Sequence, residues 1–330
     1  MNHIRLIKPA LAAALTLPSL LLGSCSQQKP EPVEVAPLYS IFYELSQADA
    51  KEQQCEIPNK YDKEIKAFIE VVNSGRNDSI SVESWAGSEV VRVFSPDAIK
   101  AFPTPAVIGE TAAYMTDAAR REGLAIPDYR YAAVVWGSGK SIIFNDSVAM
   151  IALNHYLGPD YAGYEGMPAY RRAHKTAAML PYDLTEAVVA TRYPYVATER
   201  STALSRMLYE GALTEAKLRL TPGATEAEAL GYDDEAYRYL TENEAAMWTA
   251  LATRNILYDI NEMTASHLVD DLPATNIISP ETPGRAGRFI GHRIVASYLS
   301  RHPETMLQQL LSPAFYDSPE TLVASGYSPR

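Results

Sequence analysis

The chain has 330 residues, 47% of them hydrophobic, with 40 acidic side chains against 29 basic ones and a net charge of −11. That length and apolar content suffice to bury a core without cross-links. The acidic balance excludes a nucleic-acid-binding face and an electrostatic membrane footprint, since both need clustered Lys and Arg.

In chain order, the N-terminus reads as a leader. His3, Arg5 and Lys8 form a basic start, and Ala10 to Leu22 is an apolar run too short to span a bilayer. Leu22-Gly23-Ser24-Cys25 has the form of a bacterial lipobox. Residues 1–24 are therefore expected to be a lipoprotein signal peptide, with Cys25 the lipidated, palmitate-bearing first residue of a membrane-anchored envelope protein. Loss of Arg5 and Lys8 takes the net charge to −13. The Pro-rich stretch that follows is expected to make residues 25–37 a flexible tether. With Cys25 acylated, Cys55 has no partner, so no intrachain disulfide is expected, and residues 38–330 are expected to form one domain.

Aromatic and β-branched residues suggest a short strand at Tyr39–Tyr43, and apolar spacing predicts a helix from Tyr61 to Val72. Ser74–Asp78 reads as a turn and Glu89–Phe94 as a strand, after which Ser95 and Pro96 open a helix. Another helix runs from Ala112 to Glu122 and stops at Gly123. Tyr129–Trp136 is read as a strand that turns at Gly137-Ser138-Gly139-Lys140 into a second strand, Ser141–Asn145. A hairpin fits this Gly-rich turn better than a phosphate loop, because a strand and not a helix follows the Lys. The remainder reads as helical, over 147–157, 168–178, 183–192, 199–219, 233–258, 262–270, 284–301 and 303–311. The fold class expected is mainly α with a small antiparallel β-sheet, α+β.

Chemistry is expected in Pro181 to Leu218, two helices joined by a Tyr- and Pro-containing break. Each presents one carboxylate, Glu186 and Glu210, on an otherwise small or apolar face. A zinc peptidase needs His-Glu-x-x-His on the first helix, because imidazoles four residues apart grip one metal, and the second helix supplies a carboxylate. Here Thr185 and Val189 stand at the His positions. A Glu without a metal-bound water has nothing to deprotonate for peptide hydrolysis. Gly211 is suited to a close helix crossing. On the last long helix, Arg285, Arg288 and Arg293 either turn inward to pair with Glu186 or Glu210 or lie solvated.

Five phrases recur in a recognisable order: Asn154-His155-Tyr156-Leu157-Gly158-Pro159-Asp160, Met207–Gly211, Glu242-Asn243-Glu244 with Trp248, Ser279–Arg285 with Gly291, and Gly326–Pro329. Together with the lipobox they resemble the gliding-motility lipoprotein family GldB over roughly residues 120–330. That family is related to predicted zinc-dependent proteases. The resemblance implies an envelope lipoprotein on the periplasmic side or cell surface, in the outer membrane, acting through envelope protein partners linked to gliding and its secretion machinery. It also implies a zincin-like metalloprotease fold with Glu186 at the general-base position and Glu210 as the second carboxylate; with Thr185 and Val189 in place of the His pair, that fold is expected to be degenerate, with no metal or other cofactor.

Two alternatives involve the same residues. A zinc metallopeptidase would draw a non-standard ligand set from His155, His174, Glu186 and Glu210, with Arg285 in the cleft. A glycan-binding or glycan-hydrolysing protein would use a carboxylate pair among Asp146, Glu186 and Glu210, with Tyr and Trp for stacking. Ser-His-Asp hydrolysis lacks its Gly-x-Ser-x-Gly elbow.

Overall fold

The computed structural model describes residues 29–47, 59–137 and 139–329. The expected signal peptide, Cys25, Cys55 and Ser138 lie outside the described residues.

The segment expected to be tether enters the fold earlier than its composition suggests. Val33 donates to the Gly109 carbonyl at 3.1 Å, and Val35–Pro37 forms strand β1. A Cβ on Gly109 would lie 2.3 Å from the Val33 carbonyl oxygen, so this approach requires glycine. Helix α1 follows (Leu38–Gln47), where a strand was expected. Leu38, Ile41 and Phe42 are buried, and that spacing of three and four places one apolar face on a helix despite the aromatic and β-branched composition. Then come α2 (Asp62–Asn73), α3 (Val82–Ala86), α4 (Glu89–Ala101) and α5 (Ala106–Arg121). α4 replaces the strand expected at Glu89–Phe94. Ser88, not Ser95, caps it by accepting from the Val91 amide, and Pro96 falls inside the helix. Val91, Ser95 and Ala98 are its buried residues, at helical spacing.

The sheet is small, as expected, but mixed. Strands β2 (Arg130–Val134), β3 (Ile142–Asn145) and β4 (Val148–Ala152) join β1 in the order β1-β2-β4-β3. β1 and β4 both run parallel to β2, with Ala132 opposite Ala36 on one side and Met150 on the other. Only β3 and β4 are antiparallel. The hairpin expected between the second and third strands is therefore absent, since β4 lies between them. β4 had been read as the start of a helix. All five of its residues are buried, so it lacks the alternation of a half-buried strand. The real hairpin turns at Asp146, which is exposed with φ 47°, a conformation Asp tolerates better than most residues.

Helices make up the rest: α6 (Ala169–Arg172), α7 (Leu180–Arg192), α8 (Ala203–Leu220), α9 (Glu226–Leu230), α10 (Asp234–Glu242), α11 (Glu244–Thr253), α12 (Glu262–Val269), α13 (Ala286–Arg301), α14 (Leu307–Leu310), α15 (Pro313–Tyr316) and α16 (Glu320–Ser325). The single helix expected over 233–258 breaks at Asn243, and that over 168–178 contracts to α6 and a 3₁₀ turn. Fourteen of the eighteen residues of α8 are buried, which makes it the central helix of the α layer. It packs against α5, α7, α12 and α13. Its tightest crossing is with α13: a Cβ on Gly291 would lie 1.9 Å from the Met207 carbonyl oxygen, and one on Gly211 would lie 2.4 Å from the Gly291 backbone. Two glycines thus let the helices meet backbone to backbone, as anticipated for Gly211. The family's zincin-like architecture has no independent support from this topology.

Candidate functional site

The close α8–α13 crossing brings α13 to the two carboxylates singled out from sequence. Glu186 lies on α7 and Glu210 on α8, and Arg288 of α13 reaches both. Its Nη1 is 3.2 Å from Glu186 Oε1 and 3.3 Å from Glu210 Oε2. The remaining oxygens also meet cations. Lys217 Nζ donates to Glu186 Oε2 at 2.5 Å, and Arg206 donates to Glu210 Oε1 through Nη2 and Nε at 2.8 and 2.9 Å. All four oxygens of the pair are thereby compensated. Burial alone would raise the Glu186 carboxyl, but Lys217 and Arg288 hold it well below the usual carboxylate range. Burial likewise works against the charge on Arg288, and the two carboxylates overcome it.

Of the three arginines anticipated on the last long helix, Arg288 is the one that turns inward to these acids. Arg285 points elsewhere: it sits at φ 65° just before α13 and donates to His174 Nε2 and to the Gly231 carbonyl, both at 2.8 Å. Burial and then Arg285 lower the His174 pKa to about 4, so this imidazole is neutral. Lys217 was missed from sequence, although it lies seven residues beyond Glu210 and so on the same helix face. Arg206 was missed as well, one turn before Glu210.

The same geometry tests the zinc ligand set. Thr185 donates its hydroxyl to the Pro181 carbonyl and accepts from Thr221, and Val189 offers no donor atom. Glu186 already holds two cations where a third positive charge would have to approach. Among the described residues no three His, Cys, Asp or Glu side chains are grouped to hold a metal ion. These residues do not fit zinc. Nor is Asp146 available to a carboxylate pair, since it occupies the exposed β3–β4 turn, while Glu186 and Glu210 are tied together by Arg288.

His155 and His174 do share a setting. Both line a cavity of about 550 Å³ between the ends of β2 and β4 and the α6–α7 region. The His155 Nδ1 lies 3.1 Å from Lys175 Nζ and 3.2 Å from Ser141 Oγ. Asn154, beside it, pairs its side-chain amide with the Trp136 backbone through two bonds of 3.0 Å, which fixes the wall. Asp183 enters from the first turn of α7, three residues before Glu186, and Tyr156 donates to its Oδ2 at 3.0 Å. Burial, then the charge on Glu186, raise the Asp183 pKa to about 6. Burial also lowers that of Lys175. Perturbed groups converging on a cavity mark a site more often than a core. Asp183 and Lys175 were legible only in hindsight, since neither belongs to a spaced motif.

A third charged group on α13 is structural. His292 is buried between Glu215, at 3.2 Å, and Glu226, at 2.7 Å. Burial would push its pKa down, but the two carboxylates raise it above the ordinary imidazole value.

No described helix is long and apolar enough to cross a membrane. A family model described as gliding motility protein GldB matches residues 25–329. No curated protein and no solved structure matches the chain.

Proposed function

The chain belongs to the GldB family, and from that premise we propose that it is a lipoprotein held to the cell envelope through Cys25, serving gliding motility through protein partners and not through hydrolysis. The observation that supports a non-catalytic domain is the compensation of all four oxygens of Glu186 and Glu210 by Lys217, Arg288 and Arg206. In the zincin-like frame that the family suggests, a general base must be free to take a proton from a polarised water. Glu186, held ionised between an ammonium and a guanidinium, is a poor base and repels a metal. The cations thus occupy the electrostatic role that a divalent ion would fill.

Metal analysis of the purified full-length protein is the test, joined to motility of cells carrying Cys25→Ala or Glu186→Gln. The expected outcome is no stoichiometric zinc, motility lost with Cys25→Ala, and motility kept with Glu186→Gln wherever that protein accumulates. One zinc per chain, lost on Glu186→Gln together with motility, would overturn the reading.

A further inference from the structure

The cavity beside the ion cluster contains charges that the fold leaves open. Lys175 is half-buried, and its ammonium lies 3.1 Å from His155 Nδ1 and over the face of Tyr164 at 5.6 Å. Among the described residues no carboxylate lies within ion-pair distance of it. Arg171, on the same cavity, approaches Asp271 only to 3.8 Å. Asp183 has Oδ2 occupied by Tyr156, while no described residue donates to Oδ1. Trp136 and Phe94 contribute aromatic surface to the same wall. A half-buried ammonium with no counterion is costly, and the same group becomes favourable once a ligand anion meets it.

From this juxtaposition we propose that the cavity binds a small hydroxylated carboxylate of the sugar-acid class, with its carboxylate on Lys175 and Arg171 and a hydroxyl on Asp183. A single negative charge suits the site better than a dianion, because Asp183 and Asp271 line the same space. A hydroxyl suits Asp183 better than an ammonium, which would face Lys175 and Arg171 across the cavity. The aromatic wall gives the ring of such a ligand an apolar face to lie against. The volume, about 550 Å³, falls within the usual range for small-molecule sites. This inference goes beyond the motility reading and stands whether or not that reading holds, because binding is measured on the isolated protein.

The test is calorimetric titration of the full-length protein in detergent micelles with sodium glucuronate, glucose and sodium phosphate. Glucuronate is expected to bind at least about tenfold more tightly than glucose, and more tightly than phosphate. Lys175→Gln is expected to abolish the preference over glucose, and Arg171→Gln, at an exposed position, to weaken glucuronate severalfold. Thermal unfolding of each variant separates lost binding from lost structure. Equal affinity for glucuronate and glucose, no effect of either substitution in a folded protein, or tighter binding of phosphate would each overturn the proposal.

Discussion

Around Glu186 and Glu210 each carboxylate oxygen meets a cation, and the group is closed within three packed helices. In the adjoining cavity Lys175 and Asp183 are both half-buried, yet neither meets an opposite charge within ion-pair reach among the described residues. The two regions share a helix: Asp183 and Glu186 are one turn apart, and the charge on Glu186 helps to raise the Asp183 pKa. Charges that the fold satisfies internally hold helices together, whereas charges it leaves open cost stability and are kept for something that comes from outside.

The largest effect that would sharpen this contrast is expected from Arg288→Met. Removing the one cation shared by both acids leaves two buried carboxylates short of a partner, and a loss of about 3–5 kcal/mol is expected in urea unfolding. A loss below about 1 kcal/mol would place the cluster on the same footing as a surface ion pair and break the comparison.

Asp183→Asn should act in the opposite direction. The folded-state pKa of about 6 lies above the ordinary Asp value of 3.8, so above pH 6 the folded protein bears the cost of an ionised, poorly solvated carboxylate. The variant is expected to be more stable than the parent by about 1–2 kcal/mol at pH 7.5, after allowance for solvent screening. That gain should shrink as pH falls through 6 and vanish below about 3.8, where the parent carboxyl is neutral in both states. A destabilised variant at pH 7.5 would show that Asp183 belongs with the satisfied charges. The smallest effect is expected from Lys175→Gln, a gain of up to about 0.5 kcal/mol, because the burial cost of the ammonium is relieved and no carboxylate is orphaned by it. A loss above about 2 kcal/mol would mean that Lys175 supports the fold.

Much of the satisfied region was legible in the sequence. The approximate positions of α7 and α8 follow from their apolar spacing and the Tyr- and Pro-containing break between them. Gly211 signalled its close crossing, and an inward arginine was one of two outcomes left open for α13. Helical periodicity carries all of these, because it reports which residues share a face. Sheet order was not legible: β4 is buried on both sides and shows no period-two pattern, and the parallel β1–β2 and β2–β4 pairings join segments with no local turn between them. The open charges were obscured for a related reason. Asp183, Lys175 and His155 come from three elements brought together only by tertiary packing, so no spacing in the chain announces them.

Strand β1 would limit where a protein anchored through Cys25 can work. Only nine residues lie between Cys25 and Val35, and the ten steps joining them reach about 35 Å fully stretched. If Cys25 carries the lipid proposed above, with a parallel edge strand stitched into the sheet at the other end, the body would ride within one domain diameter of the lipid headgroups. Anchored in that way, the molecule could not fish for distant components; whatever it met would already lie in the same thin layer of the envelope.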